Sequence, residues 1–464
     1  MMKKILIGIF VFSIYGNSQN LIVNNSKELI IASQIASPGD VIVLNDGIYQ
    51  GKIIFDQMSG KKKSPITVKA AEIGKAEIHD KIEIKGEYIN IEGLSFVENG
   101  NLEILGKSIK VSQCIWDDSK SKKWLRILEG SSLIEIGYNT FQNKSYNSQY
   151  EKGCQLLQIV VLNQNERHHI HHNFFYNITE GSGNGFETLQ LITYQNPFDP
   201  PPGHSNSIIE HNLFERANGE AEIISIKSNG NIIRRNVFKD CKGSLVLRHG
   251  DNNKVYGNFF SGTNEAKSGG IRIQGSGQLI SNNYFQNLGS FGLGMMDGTP
   301  DDLYVRVSEA EVLFNTFVNC NNTFEIGINH SKHPNGTPPI NCLIEGNIIY
   351  FDKSAQKQAL IKFVKEDLPI DWRWINNISF GGLNYQVNGI RNVSPNFIFQ
   401  NQWLLPTQNT PFTKNITTKN KSLIEKDLFG FRRNKKITLG AIQFFDSLQI
   451  RMIGNQNVGA YNLK

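Results

Sequence analysis

The segments Asn212-Leu213-Phe214, Asn236-Val237-Phe238 and Asn258-Phe259-Phe260 are copies of one unit: asparagine, a variable residue and an aromatic residue, following a short apolar strand. Further copies are Asn139-Thr140-Phe141, Asn173-Phe174-Phe175, Asn283-Tyr284-Phe285 and Asn315-Thr316-Phe317, with a degraded copy at Asn347-Ile348-Ile349. Successive asparagines are 34, 39, 24, 22, 25, 32 and 32 residues apart. A basic step of 22 to 25 residues with insertions is too short for a βαβ unit, and it suits one coil of a parallel β-helix.

This repeat predicts an all-β fold, a right-handed parallel β-helix built as a single-stranded solenoid. Stacked coils would place the asparagines in a side-chain amide ladder and the aromatic residues in a stack inside the core. A β-propeller would need longer, four-stranded units at more even spacing. Past about residue 350 the repeat is no longer regular, and its last recognisable copy is Asn376-Asn377-Ile378-Ser379-Phe380.

The chain of 464 residues has the composition of a folded protein, and it begins with Lys3-Lys4 followed by an apolar run that is too short to cross a bilayer. We interpret residues 1–18 as a signal peptide; a buried first strand is the alternative. No lipid-attachment cysteine follows, so we expect a periplasmic or secreted protein. Residues 19–445 are predicted to form the β-helix domain with irregular final coils, and residues 446–464 a C-terminal tail.

The formal charge of +6 is mild, and lysine and arginine are spread along the chain rather than grouped. This balance suits an acidic ligand, and we expect no nucleic-acid or membrane partner and a monomer or weak dimer. The 5 cysteines form no CxxC pair, and an odd number cannot close completely into disulfides. We expect them to be buried as small apolar residues.

Ionisable residues interrupt two apolar strands, at Glu220, Glu222 and Lys227 in one and at Arg248 in the next. Such groups must form pairs, bind a metal or face a charged ligand. Lys227, Arg248 and Arg272 are each about one coil apart, so strand alternation predicts a column of three cations on one outer face. Glu220 and Glu222 could neutralise part of that charge or hold a cation, and a plain surface ion pair of Glu222 with Lys227 is the alternative.

Two further segments have structural interpretations. The proline-rich stretch from Tyr194 to Ser205 cannot continue a strand, and we expect it to form a stiff wall beside this face. Four histidines, His168, His169, His171 and His172, resemble a metal cluster but alternate across two strand faces. We favour solvated and stacked imidazoles over a zinc site, because no cysteine or acid in the segment completes one.

Several segments of the chain carry a resemblance to a known family. The less specific one runs from Ala36 to Tyr49, ASPGDVIVLNDGIY. Sharper are Asn184-Gly185-Phe186-Glu187-Thr188-Leu189, the stretch from Asn218 to Ser228, Leu247-Arg248-His249-Gly250, and the stretch from Val312 to Cys320. Together these segments resemble polysaccharide lyase family 6, the group that holds alginate lyases and chondroitinase B. They occur in the family's order, and the similarity extends over about residues 25 to 350.

The resemblance implies Lys227 as the Brønsted base and Arg248 on the proton-donor side. It also implies Asn184, Glu220 and Glu222 as calcium ligands. The implied reaction removes the C5 proton of a uronic acid and expels the 4-linked sugar, and Ca²⁺ would neutralise the substrate carboxylate. Free lysine has a pKa of about 10.4, so neighbouring cations would have to favour the neutral amine that the reaction needs.

Substrate contacts are implied at His249 and Arg272, and also at Tyr304 and Gln190. Gln190 stands where many relatives have arginine, and Ile226 replaces an asparagine that often precedes the catalytic lysine. An acidic polysaccharide, most simply alginate, is the expected substrate. The alternatives are a glycosaminoglycan such as dermatan sulfate and a non-catalytic polysaccharide-binding β-helix. A glycosidase is less expected, because such enzymes use outward carboxylates where this chain has cations.

Overall fold

The computed structural model describes residues 18–146, 153–194, 199–301, 303–328, 335–352, 358–363, 371–382, 387–394, 397–445 and 457–462. Within these residues the chain forms a right-handed parallel β-helix whose coils each add strands to three long parallel sheets. This confirms the fold predicted from the repeat. The predicted signal peptide lies almost wholly outside the described residues.

Sheet 1 has 14 described strands. They are Asn20–Val23, Val41–Leu44, Ile66–Ala70, Ile89–Glu92, Lys110–Ser112, Glu135–Gly137, His169–His171, Ile208–Glu210, Ile232–Arg234, Lys254–Tyr256, Leu279–Ser281, Glu311–Leu313, Leu343–Glu345 and Arg373–Ile375.

Sheet 2 has 12 described strands and contains the segments with unusual charges. They are Ile53–Phe55, Lys81–Glu87, Asn101–Lys107, Leu125–Ile127, Leu157–Val160, Leu189–Ile192, Glu222–Lys227, Gly243–His249, Ser268–Ile273, Phe291–Met296, Asn322–Ile328 and Ala359–Phe363.

Sheet 3 has 14 described strands. They are Gly47–Tyr49, Ala76–Ile78, Ser95–Phe96, Ile115–Asp117, Thr140–Gln142, Phe174–Ile178, Leu213–Ala217, Val237–Lys239, Phe259–Ser261, Tyr284–Gln286, Thr316–Val318, Ile348–Tyr350, Asn377–Phe380 and Ile390–Asn392.

The repeated asparagines form the predicted ladder at the corner between sheets 1 and 3. Asn212 Oδ1, for example, accepts bonds from the backbone N–H and the side-chain amide of Asn173, each at 2.9 Å. The same pattern continues through the later copies of the repeat and ends on Asn377, which lies in the last recognisable copy of the repeat. The ladder therefore satisfies buried polar groups that each tight turn would otherwise leave unpaired.

The aromatic residues of the repeat stack inside the core, as predicted. Phe214 lies between Phe175 and Phe238, with ring centroids 4.6 and 5.0 Å away and nearly parallel planes. The stack extends from Phe96 to Phe317. The ladder and the stack share one cause, because in-register coils repeat each side chain at the spacing of neighbouring strands.

The N-terminal coil is covered by a helix, Ser26–Ile35. Asn25 caps it by accepting a hydrogen bond from the backbone N–H of Glu28 at 3.0 Å, and Leu29 and Ala32 are buried beneath it. The five cysteines are all buried and unbonded to one another, as predicted. No helix in the described ranges is both long enough and apolar enough to cross a membrane.

Residues 397–445 and 457–462, which we call the return segment, run over the outer face of sheet 3. They contain two short hairpins, Phe397–Gln400 with Trp403–Pro406 and Phe412–Thr413 with Ile437–Thr438, and a 3-10 turn at Lys421–Ile424. Trp403, Leu439 and Val458 join a second apolar cluster with outward residues of sheet 3. The backbone N–H of Ala460 bonds to Thr140 Oγ1 at 3.0 Å.

Candidate functional site

Three carboxylates converge on the outer side of sheet 2. Glu187, Glu220 and Glu222, called the acid trio here, each place an oxygen within 4.8 Å of the others. Glu187 and Glu222 are 3% and 4% exposed, so their charges are largely removed from water. It is the one group of three or more His, Cys, Asp or Glu side chains suited to a metal ion among the described residues.

Glu222 is a buried carboxylate that pairs with two partly exposed arginines. Its Oε1 accepts bonds from Arg272 at 2.6 Å and from Arg248 at 3.2 Å. Burial alone would raise the pKa of Glu222, but the two guanidinium groups outweigh it and lower that pKa. The carboxylate therefore stays ionised and fixes both arginines on the outer face.

Glu220 lies in the opposite electrostatic environment. Burial, together with the neighbouring charges of Glu187 and Glu222, raises the pKa of Glu220 to about 8. Its Oε2 accepts backbone hydrogen bonds from Gly185 at 2.7 Å and Phe186 at 3.3 Å, which hold the carboxyl group without supplying a full positive charge. A bound cation would remove the repulsion that disfavours ionised Glu220.

Glu187 is held by two glutamine amides. Gln155 donates to its Oε2 at 2.9 Å, and Gln190 donates to its Oε1 at 2.8 Å. Gln190 in turn accepts a bond from Gln158 at 2.7 Å. Gln190 is thus part of a buried hydrogen-bond network, and its predicted contact with substrate stays a prediction.

Lys227 and His249 lie beside the acid trio on neighbouring strands. Lys227 Nζ is 3.8 Å from Glu187 Oε1, so its nearby acid is Glu187 rather than the Glu222 considered from sequence. Burial, followed by the charges of Arg248 and Lys227, lowers the pKa of His249 to about 4. His249 is therefore neutral near pH 7.

The predicted column of three cations is wrong in its register. Arg272 pairs with Val246, and Lys227 pairs with His249, so neither lies directly opposite Arg248. For Lys227 the cause is a β-bulge between Ile226 and Lys227, where Arg248 is the extra residue of the partner strand, whereas Arg272 lies opposite a residue two positions before Arg248. The side chains nevertheless converge, because Glu222 binds both arginines.

A second bulge, between Glu222 and Ile224, redirects the acidic end of the same strand. It allows the consecutive residues Ile223 and Ile224 both to enter the core, which strict alternation forbids. Ile226 and Leu245 also point into the core. Two bulges, near the two ends of the pairing between strands Glu222–Lys227 and Gly243–His249, thus place the charged residues where a regular strand would not.

The other predicted contacts lie around this centre. Tyr304 stacks against Arg248, with the guanidinium carbon 5.8 Å from the ring centroid. Asn184 is exposed and directly precedes Gly185, the residue that bonds Glu220. Its role as a calcium ligand, like the other assigned roles, stays a prediction.

The proline-rich stretch is described except for residues 195–198. Tyr194 donates its hydroxyl to Gln158 at 3.0 Å, and the carbonyl of Pro201 accepts from Asn163 and Asn229. These bonds hold both ends of the stretch beside the strands that carry the acid trio, in agreement with a fixed loop.

A cavity of about 360 Å³ opens beside Glu220 and Arg272. Lys242 and Lys267 line it too, together with Glu180, which forms ion pairs with both lysines. The cavity therefore offers cationic groups immediately next to the acid trio.

The histidines lie on another face and form no described three-ligand metal group. His168 is fully buried, whereas His169 bonds Glu210 at 2.8 Å. His172 stacks between Tyr138 and His211. The stacking agrees with the interpretation from sequence, whereas the expected solvation is wrong for His168, which is fully buried.

Glu187 and Gln155 were not predicted as site residues from the sequence, whereas Gln190, the second glutamine that bonds Glu187, was predicted as a substrate contact. Glu187 lies in the Asn-Gly-Phe-Glu-Thr segment, from which only Asn184 was predicted as a ligand. The available signal was spacing, because Gln155 and Gln158 precede Glu187 and Gln190 by 32 residues, a coil with an insertion.

The fold and the site together define a β-helix protein with a charged centre on one outer face. A family model described as Chondroitinase B matches residues 23–396, more than half of the chain. The chain therefore belongs to this family, and its structural relatives place it in polysaccharide lyase family 6. A comparison with curated proteins gives no match.

Similar solved structures include the PL6 family alginate lyase AlyGC, at 25% identity and a TM-score of 0.72, with 84% of this chain and 57% of that chain covered. A mannuronic acid specific family 6 lyase from human gut microbiota is 26% identical, with a TM-score of 0.68 and coverage of 81% and 91%. Pedsa3628 from Pseudopedobacter saltans, at 24% identity and a TM-score of 0.69, shows the shared fold over 97% of this chain and 100% of that one. This chain spans less than two thirds of AlyGC.

Proposed function

We propose that this protein is a polysaccharide lyase that cleaves alginate by β-elimination. The observation that carries the proposal is the convergence of Lys227, Arg248 and Arg272 around the acid trio, in a chain of this family. A polymer of uronic acids supplies the carboxylates that such cations bind, and the adjoining cavity adds Lys242 and Lys267.

In the proposed reaction, Lys227 accepts the C5 proton as a neutral amine. Arg248 stabilises the 4-linked oxygen as its bond to carbon breaks, because arginine donates hydrogen bonds readily but gives up a proton rarely. Glu222 holds Arg248 in place through the 3.2 Å bond. The electrons of the broken C5–H bond form the new double bond, and the leaving sugar takes a proton from solvent or from the site.

The acid trio fits a hard divalent cation such as Ca²⁺, since it offers carboxylate oxygens and since burial, together with the charges of the other two acids, raises the pKa of Glu220. Glu220 and Glu222, with Asn184 as the amide proposed from sequence, would hold the ion. Bound there, Ca²⁺ would neutralise the substrate carboxylate as negative charge develops.

The substrate is tested by incubating the enzyme with poly-mannuronate, poly-guluronate, mixed alginate and dermatan sulfate, and following the absorbance of the unsaturated product. Alginate turnover is expected. Turnover of dermatan sulfate alone would favour the second candidate, a glycosaminoglycan lyase, for which the Chondroitinase B family match is the specific observation. Binding without any new double bond would mean a non-catalytic polysaccharide-binding protein.

We also propose export of the protein, on the basis of the N-terminal Lys3-Lys4 and apolar run. Mass spectrometry of protein recovered from periplasm and medium should find a mature N-terminus near residue 19. Recovery of the intact N-terminus only, inside the cell, would contradict it.

A further inference from the structure

The cavity beside Glu220 and Arg272 contains an acid of the protein itself, which bridges the two lysines of the cavity. One carboxylate oxygen of Glu180 pairs with Lys267, and the other lies 3.7 Å from Lys242 Nζ. We propose that Lys242 and Lys267 bind the carboxylate of one sugar unit of the polymer, and that Glu180 is an internal carboxylate that the substrate displaces. This inference rests on the uronate polymer of the proposed function, and it names how one unit of that polymer is held.

The bridge made by Glu180 spans several coils of the solenoid. Glu180, Lys242 and Lys267 all lie at the corner where the chain passes from sheet 3 to sheet 2. Lys242 lies two coils after Glu180, and Lys267 lies one coil further on. The carboxylate of Glu180 therefore reaches over the intervening coil, which contributes Asn218 and Glu220 to the wall of the cavity. Opening this bridge makes both lysines available to a ligand in the cavity.

The backbone around Glu180 is fixed, whereas its side chain is accessible to water. The N–H of Thr179 donates to the carbonyl of Lys144 at 2.9 Å, and the N–H of Gly181 donates to the carbonyl of Gly219 at 2.8 Å. The side chain of Glu180 is 45% exposed, and those of the two lysines are 37% and 62% exposed. Ion pairs this exposed contribute little to stability, so a competing carboxylate can displace Glu180 at small cost.

The rest of the cavity suits a sugar ring. Ser244 and Ser290 line it, together with the aromatic ring of Phe291. The serine hydroxyls can exchange hydrogen bonds with sugar hydroxyls, and the aromatic ring offers an apolar surface to the C–H groups of a pyranose. The volume of about 360 Å³ is at the small end of the range of about 300–1,000 Å³ for ligand pockets, which suits a single unit.

The charges favour a polymer over a free anion. The bond from Lys267 lowers the pKa of Glu180, so this carboxylate is ionised near pH 7. A free monosaccharide must compete with an acid that the chain itself holds at the site. A polymer already bound at the reaction centre also presents its next carboxylate at a high effective concentration, so it can compete on equal terms. Glu180 should therefore select against short anions.

The test compares Glu180→Gln with the wild type on alginate oligosaccharides of increasing length, with kcat and KM taken from the absorbance of the unsaturated product. The amide keeps the shape of the side chain and removes its charge. KM should fall by about 3- to 10-fold with kcat unchanged, because two exposed ion pairs no longer compete with the substrate. The fall should begin at the length at which a sugar unit reaches the cavity, and the shortest cleaved oligosaccharide should show none.

The lysines should respond in the opposite direction. Lys242→Gln and Lys267→Gln should each raise KM for the longer oligosaccharides by at least ~3-fold, because the substrate carboxylate loses one cationic partner. In the variant that lacks both lysines, adding Glu180→Gln should give no further change in KM, since nothing is left for the two carboxylates to compete for.

Glu98→Gln is the matched control. Glu98 and Lys120 form an exposed ion pair of 2.7 Å at the same corner of earlier coils, and neither residue lines the cavity. Its KM should stay at the wild-type value for every length. The proposal is overturned if Glu180→Gln leaves KM unchanged or raises it at every length. It is equally overturned if the gain persists after both lysines are replaced.

Calorimetry in the Lys227→Ala background separates this inference from the proposed reaction, because it measures the Kd for oligosaccharides without turnover. Tighter binding after Glu180→Gln, with no product from any polymer in the wild type, would refute the reaction and keep the site. Product from alginate together with an unchanged Kd would refute the site and keep the reaction. Tighter binding of dermatan sulfate oligosaccharides alone would keep the site for another uronate polymer, and no binding of any oligosaccharide would overturn both.

Discussion

Replacing Asn236 by alanine should destabilise the protein far more than the same change at an exposed asparagine. Asn236 Oδ1 accepts bonds from the backbone N–H and the side-chain amide of Asn212, both at 3.0 Å. Its own amide donates to the carbonyl of Ile209 at 2.9 Å and to Asn258 Oδ1 at 3.1 Å. The substitution therefore removes four buried bonds at once.

The cost follows from the groups left behind. Two donors of Asn212 lose their acceptor, and a stranded buried polar group costs about 1–3 kcal/mol. The acceptors at Ile209 and Asn258 keep other lone pairs or partners, so they add less. We expect the free energy of unfolding to fall by about 4 kcal/mol, well above the ~1 kcal/mol typical of point changes.

Asn45→Ala is the control, because its amide also reaches an asparagine of the neighbouring coil, Asn24, at 2.8 Å, but in an exposed position. Its effect should be within about 0.5 kcal/mol. Urea unfolding followed by circular dichroism measures both variants against the wild type. If the two variants differ by less than about 1 kcal/mol, the ladder does not stabilise the solenoid as the bond pattern indicates.

Four further predictions concern charge. Lys227→Arg keeps the positive charge but offers no neutral amine, so kcat should fall as far as in Lys227→Ala, by at least ~10²-fold. Substantial activity in the folded arginine variant would mean that Lys227 is only an electrostatic contact. The double variant with Arg248→Ala should be little worse than the worse single variant, and additive losses in kcat would show that the two residues act in separate steps. Folded Glu220 has a raised pKa of about 8, so in the presence of a chelator the Tm of the protein should fall as the pH rises from about 4.5 through 8. Added Ca²⁺ should suppress that fall. A Tm that stays constant with pH in chelator would contradict this prediction. Hydrogen bonding from His171 lowers the pKa of Glu135 to about 2, so the stability that this pair contributes above about pH 4.5 should be lost as the pH falls toward 2. In Glu135→Gln, the Tm should therefore fall less than in the wild type between about pH 4.5 and about pH 2.

The repeat alone was enough to predict the architecture, because its asparagine and its aromatic residue each have one position in a coil. Asn212 and Phe214 recur wherever a coil turns the same corner, and in-register stacking follows from that recurrence. Insertions changed the spacing without hiding the unit, since they fall in loops.

Most residues of the site could be predicted from the sequence, but their positions relative to one another could not. Counting coils placed Arg248 opposite Lys227, but a single extra residue at a bulge breaks such a count, and no local feature of the sequence marks it. Glu187 was missed for a related reason. Its importance depends on Gln155 and Gln190, which come from different coils and meet only when the chain is stacked.

The return segment changes the order in which the molecule can be completed. A solenoid alone grows by adding each coil to the one before it, so that stability spreads between neighbours. Here Ala460 bonds to Thr140, which lies 320 residues earlier, and Val458 closes an apolar stripe that begins at Leu213. During synthesis the coils can form from the N-terminus, yet this stripe stays open to water until the return segment has left the ribosome. A partly made chain is therefore the state most exposed to aggregation, and closure by the return segment locks early and late coils into one cooperative unit.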